Sequence, residues 1–214
     1  MHIPDGFVPA QVCAAGYAIT GGVTWFSLQQ INKASDPREE VPKAALLTAA
    51  FFVGSSISLP LPPTSVHLIM NGLLGALLSW YAFPAILIGL LLQAVLLGHG
   101  GLITLGVNAS MLGIPALLAG YIFQLHYRFA RQLNPKVSLG LFSFLSGATG
   151  ATLAIIIFFS LISLTIPTGI DQGLEQGFLT ALMIAYVPVA VLEGIFTVLL
   201  VFFLQKVKPE LLEK

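Results

Sequence analysis

Long apolar segments, separated by short polar or glycine- and proline-containing breaks, make up most of this chain. A helix needs about 20 apolar residues to cross the hydrocarbon core of a bilayer, and the pattern contains seven candidates. They lie at 8–31, 44–60, 67–82, 84–98, 107–127, 139–165 and 177–204. No repeat or soluble domain interrupts them. The pattern predicts an all-α fold, a polytopic membrane helical bundle that forms a single integral membrane domain over residues 1–214.

Residues 68–98 are open to two interpretations: one long kinked helix, or two short helices broken at Phe83-Pro84. Proline lacks the backbone N–H and disfavours helix at the preceding residue, so a turn is allowed there. With seven spans and the N-terminus outside, all nine basic residues fall on the cytoplasmic side. Six spans would place a basic group outside, against the positive-inside rule. We therefore predict seven transmembrane helices, with the N-terminus outside and the C-terminus cytoplasmic.

The composition also indicates lipid as the main solvent. The chain is 57% hydrophobic and 8% charged, with mean hydropathy +0.93, whereas a soluble domain has about 25% charged residues. The single cysteine, Cys13, cannot build a disulfide framework or a thiolate zinc site, and we interpret it as a packed residue. The first residues lack the basic segment and cleavage site of a signal peptide, so we expect Met1 to be retained.

Three of the four histidines fall on the outer side in this topology: His2, His67 and His99, with His126 inside. Neutral imidazole is the commonest transition-metal ligand in proteins. A histidine at position two offers the Met1 amine, its own deprotonated amide and its Nδ1, which together close two fused chelate rings. Three nitrogens in one plane suit Ni(II) or Cu(II). His67 is the best-placed fourth donor.

The residues after His2 are suited to turning the N-terminal segment back toward the bundle. Pro4 and Gly6 favour a turn, and we expect Asp5 to anchor it by accepting hydrogen bonds from backbone amides. Structural alternatives stay open on spacing alone. They are a frayed terminus for His2, an interfacial polar side chain for His67 and His126, and a simple turn for His99 between two glycines.

Four motifs together are similar to a known family over essentially the whole chain. They are MHIPDGF at 1–7, VHLIMNGLLG at 66–75, QAVLLGHGGLITLGVNASMLG at 93–113 and PVAVLEGIFT at 188–197. The chain resembles the CbiM/NikM family, the substrate-binding (S) components of energy-coupling-factor importers of nickel and cobalt in the prokaryotic plasma membrane. The resemblance implies a transported metal ion rather than a resident cofactor, and no catalytic activity in this chain.

The family implies a four-nitrogen site at the outer face, with residues 1–7 folded into the bundle. On this sequence the donors are the Met1 amine, the His2 amide, the His2 imidazole and the His67 imidazole. Polar residues would orient these ligands, and the candidates are Asp5, Asn71, His99 and Asn108. For Asn71 and Asn108 the alternative is hydrogen bonding between helices.

The chain lacks the parts that would let it drive transport alone. It has no phosphate-binding loop, and Glu193 is the only carboxylate within a predicted span, with a structural or a functional role open. The resemblance implies a membrane coupling subunit, two cytoplasmic ATPase subunits and a small two-span accessory protein, and no nucleic-acid partner. It favours the second span, with Ala45 and Ala49 on one face, as the contact with the coupling subunit.

Two other functions are weighed against this one. A self-sufficient secondary permease would need a polar pathway or inverted repeats, and the sequence shows neither. An intramembrane enzyme would need a motif such as H-E-x-x-H or G-x-S-x-G, which is absent. Between the two metals, a planar set of four nitrogens favours nickel, while cobalt would serve cobalamin biosynthesis.

Overall fold

The structure is a computed structural model that describes residues 2–61, 64–129, 134–165 and 172–212. Within these ranges the regular secondary structure is helical apart from one short hairpin. The helices are α1 (Ala10–Ile31), α2 (Val41–Gly54), α3 (Asn71–Leu78), α4 (Ala82–Leu92), α5 (Leu105–Phe129), α6 (Pro135–Thr165) and α7 (Gln172–Val207). A 3₁₀ turn at Ser79–Tyr81 joins α3 to α4, a π-helical turn at Gln93–Leu97 follows α4, and a 3₁₀ turn at Pro209–Leu211 follows α7.

A β-hairpin replaces the end of the second predicted span. Strands β1 (Ser58–Leu61) and β2 (Thr64–His67) pair antiparallel, with Ser58 opposite His67. The prediction of a span over 44–60 is therefore wrong beyond Gly54. The hydroxyls of Ser55 and Ser56 donate to the carbonyls of Phe51 and Phe52, each at 2.5 Å, and bonds of this kind compete with helix continuation. Prolines in the following segment also disfavour helix.

The segment between the hairpin and α5 turns back on itself. His67, before α3, and His99, beyond α4, both lie against His2, so α3 and α4 cannot form one straight span. The break lies at Ser79, which has φ of 52°, and not at Phe83-Pro84 as predicted. Pro84 instead lies in the first turn of α4, where a missing N–H costs no helical hydrogen bond.

Four helical segments are long and apolar enough to cross a membrane, judged over the described residues alone. They are Asn71–Leu97, Leu105–Phe129, Pro135–Thr165 and Tyr186–Val207, and α2 is a shorter apolar helix. The first of these contains both α3 and α4. The 22-residue α1 is more polar and is not among the four.

Helix α3 lies at the centre of the bundle, and all eight of its residues are buried. Gly75 lets the backbones of α3 and α5 approach closely, because a Cβ there would collide with the Ala116 carbonyl. Asn71, at the start of α3, donates to the carbonyls of Leu112 on α5 at 3.1 Å and Gly150 on α6 at 2.9 Å. These contacts fix the start of α3, shortly after His67, the last residue of β2.

Basic connections gather at the other end of the bundle. The Tyr81 hydroxyl donates to the Pro37 carbonyl, which precedes Arg38, at 2.5 Å. The Tyr127 hydroxyl, next to Arg128, donates to the Leu212 carbonyl at 2.7 Å. The 37–43 connection, the end of α5 and the C-terminal segment therefore lie away from His2, His67 and His99.

Candidate metal centre

The N-terminal segment is seated in the bundle by residues at the start of α5. Ile3 is fully buried. Its N–H donates to Asn108 Oδ1 at 2.9 Å, and its carbonyl accepts from Asn108 Nδ2 at 3.0 Å and from Thr104 Oγ1 at 2.7 Å. Because both backbone groups of Ile3 are held, the position of the adjacent His2 is fixed by the bundle and not by the chain terminus.

A tight turn follows Ile3 and is anchored to the same helix. The Phe7 N–H donates to the Pro4 carbonyl at 3.3 Å, and Gly6 adopts φ of 81°. Asp5 Oδ1 accepts from Thr104 N–H at 3.0 Å and lies 3.1 Å from Thr104 Oγ1, whose hydrogen it shares with the closer Ile3 carbonyl. Partial desolvation raises the pKa of Asp5, but donors at Thr104, Ile103 and Leu102 together outweigh it and leave that pKa below its ordinary value. The backbone amide that contributes most to holding the Asp5 carboxylate is therefore that of Thr104, immediately before α5.

Three imidazoles from three separate segments lie together beside this anchored segment. The ring centroids of His2 and His67 are 5.2 Å apart with an interplanar angle of 20°, and those of His2 and His99 are 6.4 Å apart at 4°. His2 and His67 are half-buried, whereas His99 is exposed. The fourth histidine, His126, lies in the last turn of α5, where Nδ1 and the Phe123 carbonyl are 2.6 Å apart.

The environment favours the neutral, metal-binding form of both inner histidines. Burial, reinforced by His99, lowers the pKa of His2 from 6.5 to about 4, while Gln93 opposes the shift. Burial also lowers the pKa of His67, with the Leu68 carbonyl opposing and His99 adding to the effect. His67 Nδ1 lies 3.2 Å from the Leu68 carbonyl. Donation from Nδ1 places the lone pair of the ring on Nε2, the nitrogen then able to coordinate a metal.

Glu193 on α7 holds the backbone immediately after His67. Its carboxylate accepts from the N–H of Ile69 and from the N–H of Met70, the latter at 3.1 Å to each oxygen. Met70 has φ of 55° and caps the N-terminus of α3. A carboxylate at this point satisfies buried amides and interacts favourably with the helix dipole. The role of Glu193 that the sequence left open is therefore to shape the loop that presents His67.

The remaining predicted residues differ in what they contact. Asn108 holds the Ile3 backbone, whereas Asn71 directs its amide to Leu112, Gly150 and Gly72, as the helix–helix alternative predicts. Ala45 and Ala49 are exposed on α2.

Within the described part of the chain, no three His, Cys, Asp or Glu side chains converge on a metal position. Met1 lies outside the described residues, so its predicted amine ligand has no geometry here. The predicted chelate needs two donors that are not side chains, the Met1 amine and the backbone nitrogen of His2, in addition to the imidazoles.

Sequence reasoning missed two contributors, Thr104 and Gln93. Thr104 contacts both Ile3 and Asp5. Gln93 is fully buried at the start of the π-helical turn, and its side chain affects the pKa of His2. A polar residue inside an apolar span is a functional candidate, and Gln93 met that description on sequence alone.

Known proteins similar to this chain are metal transporters. Residues 2–211 match the CbiM family model, described as cobalt uptake substrate-specific transmembrane region. The chain is 31% identical to a putative metal transport protein of Haemophilus influenzae, covering 100% of this chain and 98% of that one. It is 33% identical to a putative cobalt transport protein CbiM of Methanococcus voltae, over 100% and 95% of the two chains.

A solved structure also matches. The crystal structure of a transition metal transporter superposes with a TM-score of 0.74 at 29% identity, covering 97% of this chain and 93% of that one. The family is one of multi-pass prokaryotic membrane proteins for metal transport and is not a catalytic family. With an anchored N-terminal histidine, two further imidazoles beside it, and a family match over nearly its whole length, this chain belongs to the CbiM family of metal transport proteins.

Proposed function

We propose that this chain is the metal-binding S component of an ATP-driven energy-coupling-factor transporter that imports Ni²⁺ or Co²⁺. The observation that carries the proposal is the seating of the N-terminal segment. Ile3 is held by Asn108 and Thr104 so that His2 lies 5.2 Å, centroid to centroid, from His67. Because Ile3 is fully buried, its backbone groups need partners, and the partners that it finds hold His2 beside His67.

The proposed ligands are four nitrogens: the Met1 amine, the His2 amide, the His2 imidazole and the His67 imidazole. Asp5, His99 and Asn108 position this set, and Asn71 fixes the start of α3. Nitrogen donors in one plane suit low-spin Ni(II), so we favour nickel over cobalt, although several relatives are described as cobalt transport proteins, putative or not.

The proposed topology has seven spans, with the metal centre outside and the C-terminus in the cytoplasm. Its support is the separation of charge along the bundle. The segments containing Arg38, Arg128 and Lys208 meet at the end opposite the histidines. Cytoplasmic loops of membrane proteins are enriched in such residues.

Energy for transport would come from other subunits. The chain has no phosphate-binding loop, and we assign ATP hydrolysis to two cytoplasmic ATPase subunits acting through a membrane coupling subunit, with a small two-span accessory protein. Ala45 and Ala49 are proposed to contact the coupling subunit, because exposed small residues allow close approach of helices in lipid.

The first test is metal loading of the purified chain with its N-terminus untagged. We expect one equivalent of bound nickel and the absorption of a diamagnetic, square-planar complex. Metal uptake into cells should then require the ATPase subunits. Loss of nickel on gel filtration, or an octahedral spectrum, would contradict the four-nitrogen site. Undiminished uptake by this chain alone would instead indicate a self-sufficient permease.

A further inference from the structure

The side-chain amide of Gln93 is hydrogen-bonded at its nitrogen, and this fixes the direction in which its oxygen points. Its Nε2 lies 2.7 Å from Ser55 Oγ, 3.2 Å from Ser56 Oγ and 3.2 Å from the Phe52 carbonyl. Because both serine hydroxyls already donate to backbone carbonyls, the amide atom facing them must be the donor. The opposite atom, Oε1, is therefore an acceptor whose direction is set by α2.

Two buried polar atoms near the metal centre have no hydrogen-bond partner in the described part of the chain: Gln93 Oε1 and His2 Nε2. Gln93 is nevertheless close enough to His2 to affect its protonation. One of these atoms can only accept, and the other becomes a donor when the ring carries its hydrogen on Nε2. Gln93 Oε1 lacks a donor, and His2 Nε2–H lacks an acceptor, so the two atoms can satisfy each other. Buried polar groups in native structures are rarely left unsatisfied.

We propose that Gln93 is a positioning residue for the metal centre, whose Oε1 accepts a hydrogen bond from His2 Nε2–H and so keeps the lone pair of the ring on Nδ1. Nδ1 is the nitrogen that closes the chelate ring with the His2 amide, so this inference rests on the proposed function. Metal-bound histidines commonly present the other ring nitrogen to such an acceptor, which fixes both tautomer and ring orientation.

The local backbone adds a further link between Gln93 and the centre. Gln93 is the first residue of the turn, and its own carbonyl accepts from His99 N–H at 3.1 Å. One residue thus links three parts of the centre: the end of α2 through its amide nitrogen, His2 through its amide oxygen and His99 through its backbone. Single π-helical turns are frequent at functional sites.

The test compares Gln93→Met, which is close in size but can neither donate nor accept strongly, with Gln93→Glu, which keeps an acceptor oxygen at the same reach. The matched control is Gln124→Met, since Gln124 donates to Ser79 Oγ at 2.6 Å beside the 3₁₀ turn, far along α5 from Asn108. Two quantities are measured. One is the His2 tautomer in the metal-free protein, from ¹⁵N NMR of histidine-labelled samples. The other is the dissociation constant for Ni²⁺.

We expect wild type and Gln124→Met to show the Nε2–H tautomer. Gln93→Met should shift His2 toward a tautomer mixture and weaken nickel binding by about 10- to 100-fold, and Gln93→Glu should restore the tautomer. An unchanged tautomer in Gln93→Met would overturn the inference, even if affinity fell, since that would mark a purely structural role. If Gln93→Met does not fold, the His2 tautomer in folded Gln93→Glu decides. A mixture of tautomers there overturns the inference, and the Nε2–H tautomer alone supports it. Failure of wild type to bind nickel would count against the proposed function, whereas the metal-free tautomer tests Gln93 separately.

Discussion

The side-chain amide of Asn108 brackets the backbone of Ile3, accepting from its N–H at 2.9 Å and donating to its carbonyl at 3.0 Å. This pairing resembles one rung of a β-ladder made by a side chain, and it joins the first residues of the chain to the start of α5. Because Ile3 directly follows His2, the pairing determines where the imidazole and the backbone nitrogen of His2 lie.

Asn108→Leu should therefore weaken nickel binding without removing a ligand. The substitution leaves the Ile3 N–H without a partner and its carbonyl with Thr104 alone. The segment should therefore be docked for only a fraction of the time, and nickel affinity falls in proportion to that fraction. We expect a loss of about 10- to 100-fold, the usual range for residues that orient ligands, measured by nickel titration. Asn71→Leu is a comparison, because Asn71 bonds α5 and α6 and not the N-terminal segment. It should reduce thermal stability more than Asn108→Leu does, and the reverse order would contradict these roles.

The sequence predicted the helical membrane architecture because hydropathy depends on local composition alone. It also singled out the histidines, since few polar residues interrupt the apolar segments. It did not predict the hairpin at 58–67 or the break at Ser79. The break depends on a left-handed backbone at a non-glycine residue, which local propensity disfavours and which tertiary packing must impose.

The hydrogen-bond partners of the site residues were harder to predict than the residues themselves. Asp5 was expected to bind backbone amides, and Thr104, 99 residues away, supplies the main one. Asn71 and Asn108 were equivalent on sequence, and only the fold shows that one faces neighbouring helices and the other the Ile3 backbone. Pairings between distant segments depend on how helices pack, and a single sequence contains no direct record of that packing.

Two substitutions of Asp5 test how far its carboxylate anchors the N-terminal segment. Asp5→Ala removes the acceptor for Thr104 N–H, so nickel affinity should fall by about tenfold or more, while Asp5→Asn keeps an oxygen and should lose less. The pKa of Asp5 in the folded protein is below its ordinary value of 3.8. Its anchoring is therefore fully present above about pH 4 and lost only as the pH falls through the lowered pKa. Protection of the Ile3 amide from hydrogen exchange should show this, and a change between pH 8 and 6 that Asp5→Asn abolishes would contradict it.

His67 and His99 should differ sharply when each is replaced by alanine. His67 is half-buried beside His2, and its loss removes one of four proposed ligands, so His67→Ala should abolish tight nickel binding. His99 is exposed and outside the ligand set, so His99→Ala should bind one equivalent with affinity reduced by no more than about tenfold. His126→Ala, distant from the centre, is the control for folding. Equal losses in the first two variants would show that all three imidazoles share the metal.

Glu193 should matter to both stability and metal binding, since it satisfies the Ile69 and Met70 amides after His67. Glu193→Ala leaves two buried N–H groups without an acceptor, at a cost of about 1–3 kcal/mol each, and releases the loop that presents His67. Glu193→Gln keeps one acceptor oxygen and should recover part of both properties. Thermal unfolding and nickel titration of the two variants test this order. If Glu193→Ala lowered stability but left affinity unchanged, the loop would not depend on α7.

Adding four glycines before Met1 separates the terminal chelate from every other feature of the site. The extension moves the free amine too far from His2 to close a chelate ring with its amide and Nδ1, whereas a single glycine would create a new terminal chelate, because Gly-Met-His offers an amine, two amides and Nδ1. The anchors of the segment are Ile3 and Asp5, which the extension does not touch, so folding and segment docking should persist. We expect the square-planar absorption to disappear and nickel to be lost on gel filtration, while four glycines added after Lys214 change neither. If the extended chain still held one equivalent of nickel with unchanged affinity, the terminal amine would not be a ligand, and His99 would be the candidate for the missing donor.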